Sequence, residues 1–284
     1  MPGTFSDSWK LTKTAFRLIA EDRALLVFPV VAGLSILGVI ALLILGWVWV
    51  AWPLATTQGG FQLNGTFYAV AIALFVAAYF AMVFLSVYCT AALVGAATLK
   101  LSGQQPTAAD GWRIARARLG RLFLWSVIAA TVGLVIQLVA SRVRGVGGAV
   151  IRIVGGVAWS VVTYFMVPVI IYEDLGAWKS LARSAHLFTS TLGRTLVSNI
   201  VVGLMIAAGV VAALVLGIAG LFVLVGGSVV LGVLLIGVGI AVAVIVALIG
   251  AAAEGILRAA LYRYATTGKI DPDLLPSGYA VPRF

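Results

Sequence analysis

The sequence is poor in the residues that build metal centres, disulfides and catalytic sites. It has one histidine and one cysteine among 284 residues, so an intrachain disulfide is impossible. Neither residue stands in an HxxxH or CxxC spacing, and a phosphate-binding GxxxxGK[ST] loop does not occur in the sequence. We therefore predict no bound metal, no cofactor and no enzymatic activity.

Charged residues are also scarce, and long apolar runs take their place. Charged residues make up 10% of the chain, hydrophobic residues make up 63%, and the mean hydropathy is +1.16. These values exclude an ordinary soluble domain. Several runs exceed the roughly 20 residues that a helix needs to cross a bilayer, which predicts an integral membrane protein.

The net charge of +10 could indicate nucleic acid as a partner. However, the lysines and arginines lie at the ends of the apolar runs. This distribution favours anionic lipid headgroups as partners and argues against nucleic acid.

The apolar runs predict an all-α fold in a single transmembrane domain over residues 1–284. Six transmembrane helices in three hairpins are predicted at about 24–52, 67–99, 122–140, 153–172, 195–220 and 228–262. The stretch 195–257 could hold two long helices or three short ones. With two helices, every Lys and Arg except Arg142, Arg144 and Arg152 lies on one side of the membrane. This bias follows the positive-inside rule with both termini cytoplasmic, so we favour six spans.

A short amphipathic stretch precedes each predicted hairpin. These stretches predict cytoplasmic interfacial helices over 5–20, 107–118 and 175–190. Thr107 and Asp110 match a capping box at the start of the second. Each stretch has a tryptophan beside a cation, which suits the headgroup layer. The candidate headgroup-binding residues are Trp9, Lys10, Lys13, Trp112, Arg113, Arg116, Trp178, Lys179 and Arg183.

The three stretches read as an internal repeat of helix plus hairpin, although any interfacial helix converges on Trp beside Lys or Arg. The third stretch shows the two faces best. Its apolar face holds Trp178, Leu181, Ala182, Ala185 and Phe188. Its polar face holds Lys179, Arg183, His186 and Ser190.

Four polar residues within or near apolar runs are candidates for an intramembrane site. Glu254 is the only acid within an apolar run, and an ionisable residue at membrane depth is by default a functional hypothesis. Arg258 lies four residues later, which also allows an ordinary ion pair on one helix. Asn199 and Gln137 are predicted to make hydrogen bonds between helices.

Small residues recur at every fourth position in the fifth predicted span. Gly209, Ala213 and Gly217 therefore share one helix face, the pattern of close helix packing in lipid. This stripe predicts either a contact within the chain or a dimer interface.

The two ends of the chain resemble those of an uncharacterised prokaryotic family of six-pass membrane proteins, the domain of unknown function number 6159. The resemblance rests on FSDSWKLTKTAFRLIAEDRALLVFPVV (5–31) and AEGILRAALYRYATTGKI (253–270). The central EDLGAWKSLARSAHLFTSTLGR also resembles the linker helix in membrane domains of some bacterial glycerophosphodiester phosphodiesterases. These resemblances imply a topology in the prokaryotic plasma (inner) membrane, and they carry over no catalytic residue.

These observations predict a non-catalytic, multi-pass plasma-membrane protein with an accessory or scaffold role among lipids and envelope components. The alternative is a small permease or channel-like transporter whose polar path lies near Glu254, with Asn199 and Gln137 along it. A membrane protein or a second copy of the chain could be the partner in either case.

Overall fold

The computed structural model describes residues 24–51, 56–57, 60–61, 65–143, 145–173 and 175–267. The helices in this part of the chain are α1 (Ala24–Gly46), α2 (Gly65–Lys100), α3 (Ala108–Ala117), α4 (Leu119–Arg142), α5 (Val146–Thr163), α6 (Met166–Tyr172), α7 (Ala177–Val225) and α8 (Val229–Thr267). A π-helical turn, Trp47–Ala51, extends α1. Two-residue antiparallel strands, β1 (Thr56–Thr57) and β2 (Gly60–Phe61), pair Thr56 with Phe61 and Thr57 with Gly60. The predicted helix 5–20 lies outside the described residues.

Six helical stretches are long and apolar enough to cross a membrane. They are Ala24–Val50, Gly65–Lys100, Leu119–Arg142, Val146–Tyr172, Val202–Val225 and Val229–Thr267. Two helices occupy the stretch that the sequence left ambiguous, so the prediction of an all-α fold with six spans is confirmed. Helices suit this setting because hydrocarbon offers no partner to a backbone N–H or C=O group.

Many large apolar side chains of these helices are exposed, among them Leu42, Phe75, Leu214 and Val230. A soluble monomer rarely exposes apolar surface on this scale. In a membrane, lipid chains would cover these side chains, so they form the lipid-facing surface of the protein.

The sequence analysis predicted a helix end between the interfacial helix 175–190 and the span 195–220, and this prediction is wrong. Both lie in the single 49-residue helix α7. Leu192-Gly193-Arg194 resembles a helix end, but an internal glycine costs only about 1 kcal/mol relative to alanine when no proline accompanies it. The helix therefore continues through Gly193.

The chain divides into two compact units. Unit 1 comprises 1–29, 93–110 and 186–284, and unit 2 comprises 30–92 and 111–185. Helices α1, α2, α3 and α7 contribute residues to both units.

In unit 1, α7 and α8 form a closely packed antiparallel pair. A Cβ atom at Gly209 would lie 2.5 Å from Cγ2 of Val246, and one at Gly239 would lie 2.9 Å from the carbonyl oxygen of Ala213 and 3.1 Å from the nitrogen of Gly217. Gly209 of the predicted small-residue stripe therefore faces α8 of the same chain, whereas a Cβ at Gly217 would meet nothing within 4 Å.

The buried core of unit 1 lies around the last third of α8. The buried apolar residues of this segment are Ala252, Ala253, Ile256, Leu257, Ala259, Leu261 and Tyr262. Gly255 allows the side chain of Leu93 in α2 to approach the α8 backbone. Protein side chains thus cover this end of α8, whereas its first two thirds present many exposed valines and leucines.

In unit 2, α4 packs against α5 and α2. The indoles of Trp125 and Trp159 stack with their centroids 5.8 Å apart, which joins α4 to α5. The Tyr79 hydroxyl of α2 donates to the carbonyl oxygen of Ala130 in α4 at 3.4 Å. A Cβ at Gly133 would lie 2.7 Å from the same hydroxyl, so Gly133 leaves room for it.

The fourth span was predicted as one helix, but it is broken between Thr163 and Met166. Pro168 has no N–H to bond the carbonyl of Tyr164, and its ring crowds that carbonyl, so a continuous helix is disfavoured. At the break, the backbone N–H of Phe165 donates to Oγ of Ser184 in α7 at 3.0 Å. All of Met166 to Ile171 is buried. The buried N–H of Phe165, which has no acceptor in its own helix, thus donates to a side chain of another helix.

Candidate functional site

The candidate site consists of two sets of basic residues, one on α3 and one at the start of α7, which together we call the basic surface. It is defined by the four cationic side chains predicted to bind headgroups in these helices, Arg113, Arg116, Lys179 and Arg183. Both helices belong to unit 2 over the residues concerned.

A capping box fixes the start of α3. The carboxylate oxygen Oδ2 of Asp110 accepts hydrogen bonds from the backbone N–H of Thr107 at 2.9 Å and from its hydroxyl at 2.7 Å. Asp110 also places a negative charge in the first turn, which the helix dipole favours. The carboxylate half of the predicted capping box is therefore present, while the Asp110 N–H donates to the backbone carbonyl of Thr107 rather than to its hydroxyl.

An aromatic cluster holds α3 against the spans. The ring of Trp112 lies 5.4 Å from that of Tyr88 in α2, Tyr88 stacks on Phe84, and Phe84 meets Phe123 of α4 edge to face at 5.6 Å. Such pairs contribute roughly 0.5–1.5 kcal/mol each beyond area burial. Trp112 therefore packs against protein, where the sequence had suggested a lipid anchor.

The orientation of α3 leaves its cations outside. Ala115 is fully buried against the protein, whereas Arg113 and Arg116 are exposed. The helix thus presents two guanidinium groups from a scaffold that the aromatic cluster keeps in place.

At the start of α7 the exposed residues are Trp178, which is 76% exposed, and Lys179. Arg183 instead pairs with Glu173, its Nε lying 3.1 and 3.2 Å from the two carboxylate oxygens. Arg183 therefore ties α7 to the end of α6, and Trp178 with Lys179 is left to face the surroundings.

The buried face of this segment differs from the predicted apolar face. The buried residues are Ser180, Ser184, Leu187 and Phe188, while Trp178 and Ala182 are exposed. Sequence reasoning missed both serines because a serine carries no hydrophobic signal. The one clue was Pro168, which disfavours a continuous helix and so leaves the backbone N–H of Phe165 at a break, in need of an acceptor.

Glu254 and Arg258 form an ion pair on α8, with side chains 45% and 25% exposed. About 25 uncharged residues of α8 precede Glu254. At 1.5 Å per residue they extend about 37 Å, more than the roughly 30 Å of a hydrocarbon core. The span is therefore long enough without Glu254, which weakens the case for a charge at membrane depth.

We expect Glu254→Gln to lower the free energy of unfolding by less than about 1 kcal/mol, as for other partly exposed i,i+4 pairs. Thermal unfolding in detergent would measure this change. Arg258→Gln is the comparison variant and should cost at least as much, because it removes the same pair and Arg258 is the more buried partner. A loss of several kcal/mol for Glu254→Gln alone would show that the carboxylate has another essential role.

The remaining candidates belong to different units of the chain. Gln137 belongs to unit 2 and is exposed on α4, without the interhelical hydrogen bond predicted for it among the described residues. Asn199 lies within α7 in unit 1, and its side chain is not among those described. Trp9, Lys10 and Lys13 lie outside the described residues. In the part of the chain with assigned structure, no group of three or more His, Cys, Asp or Glu could hold a metal ion.

Six apolar helices define the class of this protein: it is a multi-pass membrane protein. The chain belongs to the family of unknown function DUF6159, whose family model matches residues 65–271. No curated protein and no solved structure matches the chain. The resemblance of the central segment to phosphodiesterase membrane domains therefore stays a prediction.

Proposed function

We propose that this protein is a non-catalytic accessory or scaffold protein of the prokaryotic plasma membrane that binds anionic lipid headgroups through its basic surface. The observation that carries the proposal is the exposure of Arg113 and Arg116 on a helix held by aromatic contacts. A helix fixed in this way offers its cations to phosphate without losing much conformational freedom on binding.

The charge distribution supports a cytoplasmic location for this surface and for both termini. A six-span topology predicts from sequence that all Lys and Arg except Arg142, Arg144 and Arg152 are on the same side of the membrane as α3. Such a bias is typical of cytoplasmic loops, and the cytoplasmic leaflet carries the negative surface potential that attracts them.

A scaffold role is favoured over catalysis because the sequence offers no constellation of nucleophile, base and metal ligand. Trp178 beside Lys179 supports attachment at the interface, since an indole and an ammonium both suit the headgroup layer. A membrane protein or a second copy of the chain is the partner that such a scaffold would organise.

The test compares the wild-type protein with Arg113→Gln/Arg116→Gln after gentle extraction from native membranes, with mass spectrometry of retained lipids and proteins. Each cation near the surface contributes about 1 kcal/mol, so we expect anionic lipid binding to fall roughly 30-fold. Arg113→Lys/Arg116→Lys keeps both charges and should retain most of the lipid. Unchanged lipid retention in the glutamine variant would contradict the proposal.

A further inference from the structure

A second polar feature lies on unit 2 at the end of α4 away from α3. On α4, Ser126 and Ala130 are buried on the side that Tyr79 contacts. Gln137 lies two turns beyond Ala130 on the same side, yet it is exposed. Protein side chains therefore bury this face of α4 as far as Ala130 but not at Gln137, whose polar side chain is exposed.

Arg152 of α5 lies at the same level. A Cβ at Gly148 would lie 2.5 Å from the carbonyl oxygen of Ala140, and one at Gly155 would lie 3.4 Å from Cγ2 of Ile136. Arg152 falls between these two glycines, so it is level with the turn of α4 that carries Gln137.

The two side chains also leave the helix pair on the same side. On α4, Ile136 faces α5, and Gln137 is rotated about 100° from it around the helix axis. On α5, Gly148 faces α4, and Arg152 is rotated about 40° from it. Both rotations have the same sense when each helix is viewed along its own chain direction. In an antiparallel pair, equal senses of rotation point to one side. Both residues are exposed there. We call them the Gln137–Arg152 site.

No acidic residue of the surrounding helices can neutralise Arg152. The sequence has no Asp or Glu between Asp110 and Glu173, and these two acids adjoin the other ends of α4 and of the fourth span. Among the residues that the structure describes, the side chains of Gln137 and Arg152 form no hydrogen bond or ion pair. A lone cation within a span is costly, so a counter-ion from outside the chain would stabilise it.

The residues around the Gln137–Arg152 site indicate which kind of anion would be the counter-ion of Arg152. Leu138 and Ile153, which follow Gln137 and Arg152 directly in sequence, are exposed apolar residues that acyl chains would cover. Arg152 is about six residues, or roughly 9 Å, from the start of α5, within reach of a headgroup for a long side chain.

We propose that the Gln137–Arg152 site binds the phosphate of an anionic phospholipid in the leaflet at the Arg142 end of α4. The guanidinium of Arg152 donates paired hydrogen bonds to the phosphate oxygens, and the amide of Gln137 donates one more. The site stands apart from the proposed function, because it uses other residues at the other end of α4.

The test uses the full-length protein in phosphatidylcholine nanodiscs with added phosphatidylglycerol, and native mass spectrometry to count bound phosphatidylglycerol. We expect Arg152→Gln to weaken binding of one phosphatidylglycerol about tenfold, the loss expected for charge-assisted hydrogen bonds. Gln137→Leu should weaken it too, although it changes no charge. Arg142→Gln, with the same charge change on a different side of α4, should change binding less than about twofold.

Inorganic phosphate at the same concentration should not displace the lipid. Two results would overturn the proposal: equal effects of Arg152→Gln and Arg142→Gln on lipid binding, or displacement of the lipid by inorganic phosphate. If Arg152→Gln does not fold, the loss of phosphatidylglycerol binding in Gln137→Leu tests the proposal instead. Arg113 and Arg116 are unchanged in every variant, so this result is independent of the test of the proposed function.

Discussion

Gly239→Val is expected to lower the free energy of unfolding by about 2–4 kcal/mol, because the added side chain would overlap the backbone of α7. A Cβ at Gly239 would already lie 2.9 Å from the carbonyl oxygen of Ala213 and 3.1 Å from the nitrogen of Gly217. These are backbone atoms that cannot move like the end of a flexible side chain. The two longest helices would have to separate.

Gly237→Val is the matched control, since it makes the same change two residues earlier on α8 where a Cβ would meet nothing within 4 Å. Its effect should stay below about 1 kcal/mol. Unfolding can be followed with a thiol-reactive fluorogenic dye, because Cys89 is the one cysteine of the chain and is 4% exposed. Equal destabilisation by both variants would contradict the close α7–α8 contact.

The packing of α7 on α8 could be predicted in part from sequence. Gly209, Ala213 and Gly217 repeat at the spacing of one helix face, and Gly209 does meet Val246 of α8, whereas a Cβ at Gly217 would meet nothing within 4 Å. The sequence could not choose between a contact in the chain and a dimer, because both bury the same face. The partner residues on α8, such as Gly239 and Val246, become evident only once the register of the two helices is known.

The number of spans was predictable for a different reason. Hydrocarbon imposes a minimum length on an apolar run, so composition and length are nearly sufficient to find a spanning helix. Helix ends beyond the hydrocarbon are less constrained. The merger of 175–190 with 195–220 in α7 reflects this difference.

For the candidate site, the structure shows that Arg113, Arg116 and Lys179 are exposed, and their role as headgroup ligands stays a prediction. Trp112 and Trp178 stand in similar local patterns, yet Trp112 packs on Tyr88 while Trp178 is exposed. The difference depends on Tyr88, which is 24 residues away in sequence. Local pattern identifies a residue suited to an interface, whereas tertiary contacts decide which partner it takes.

The same limit applies to the break in the fourth span. Pro168 within an apolar run indicates a disturbed helix, but the acceptor for the Phe165 N–H comes from α7, 19 residues later. Ser184 shows no signal of this role in its own neighbourhood. Its function in the fold is to complete the hydrogen bonding of another helix.

Ser184→Ala is therefore expected to lower the free energy of unfolding by about 2 kcal/mol, because it leaves the Phe165 N–H without an acceptor in a buried position. Phe165 and Ser184 are both fully buried, so water cannot easily replace the hydroxyl. Thermal unfolding with the Cys89 dye would measure the loss. Hydrogen exchange at the Phe165 amide should also become faster.

Ser126→Ala provides the matched control, since Ser126 is buried as well but its hydroxyl donates to the carbonyl of Leu122 one turn earlier in its own helix. That carbonyl keeps its place in the helical hydrogen-bond ladder when the hydroxyl is removed. The control should cost less than about 0.5 kcal/mol. If the two alanine variants lose the same stability, the bond from Phe165 to Ser184 does not hold the break together. If only Ser184→Ala is destabilised, this one hydroxyl is what allows a span to bend at Tyr164 and Phe165 and still satisfy its backbone.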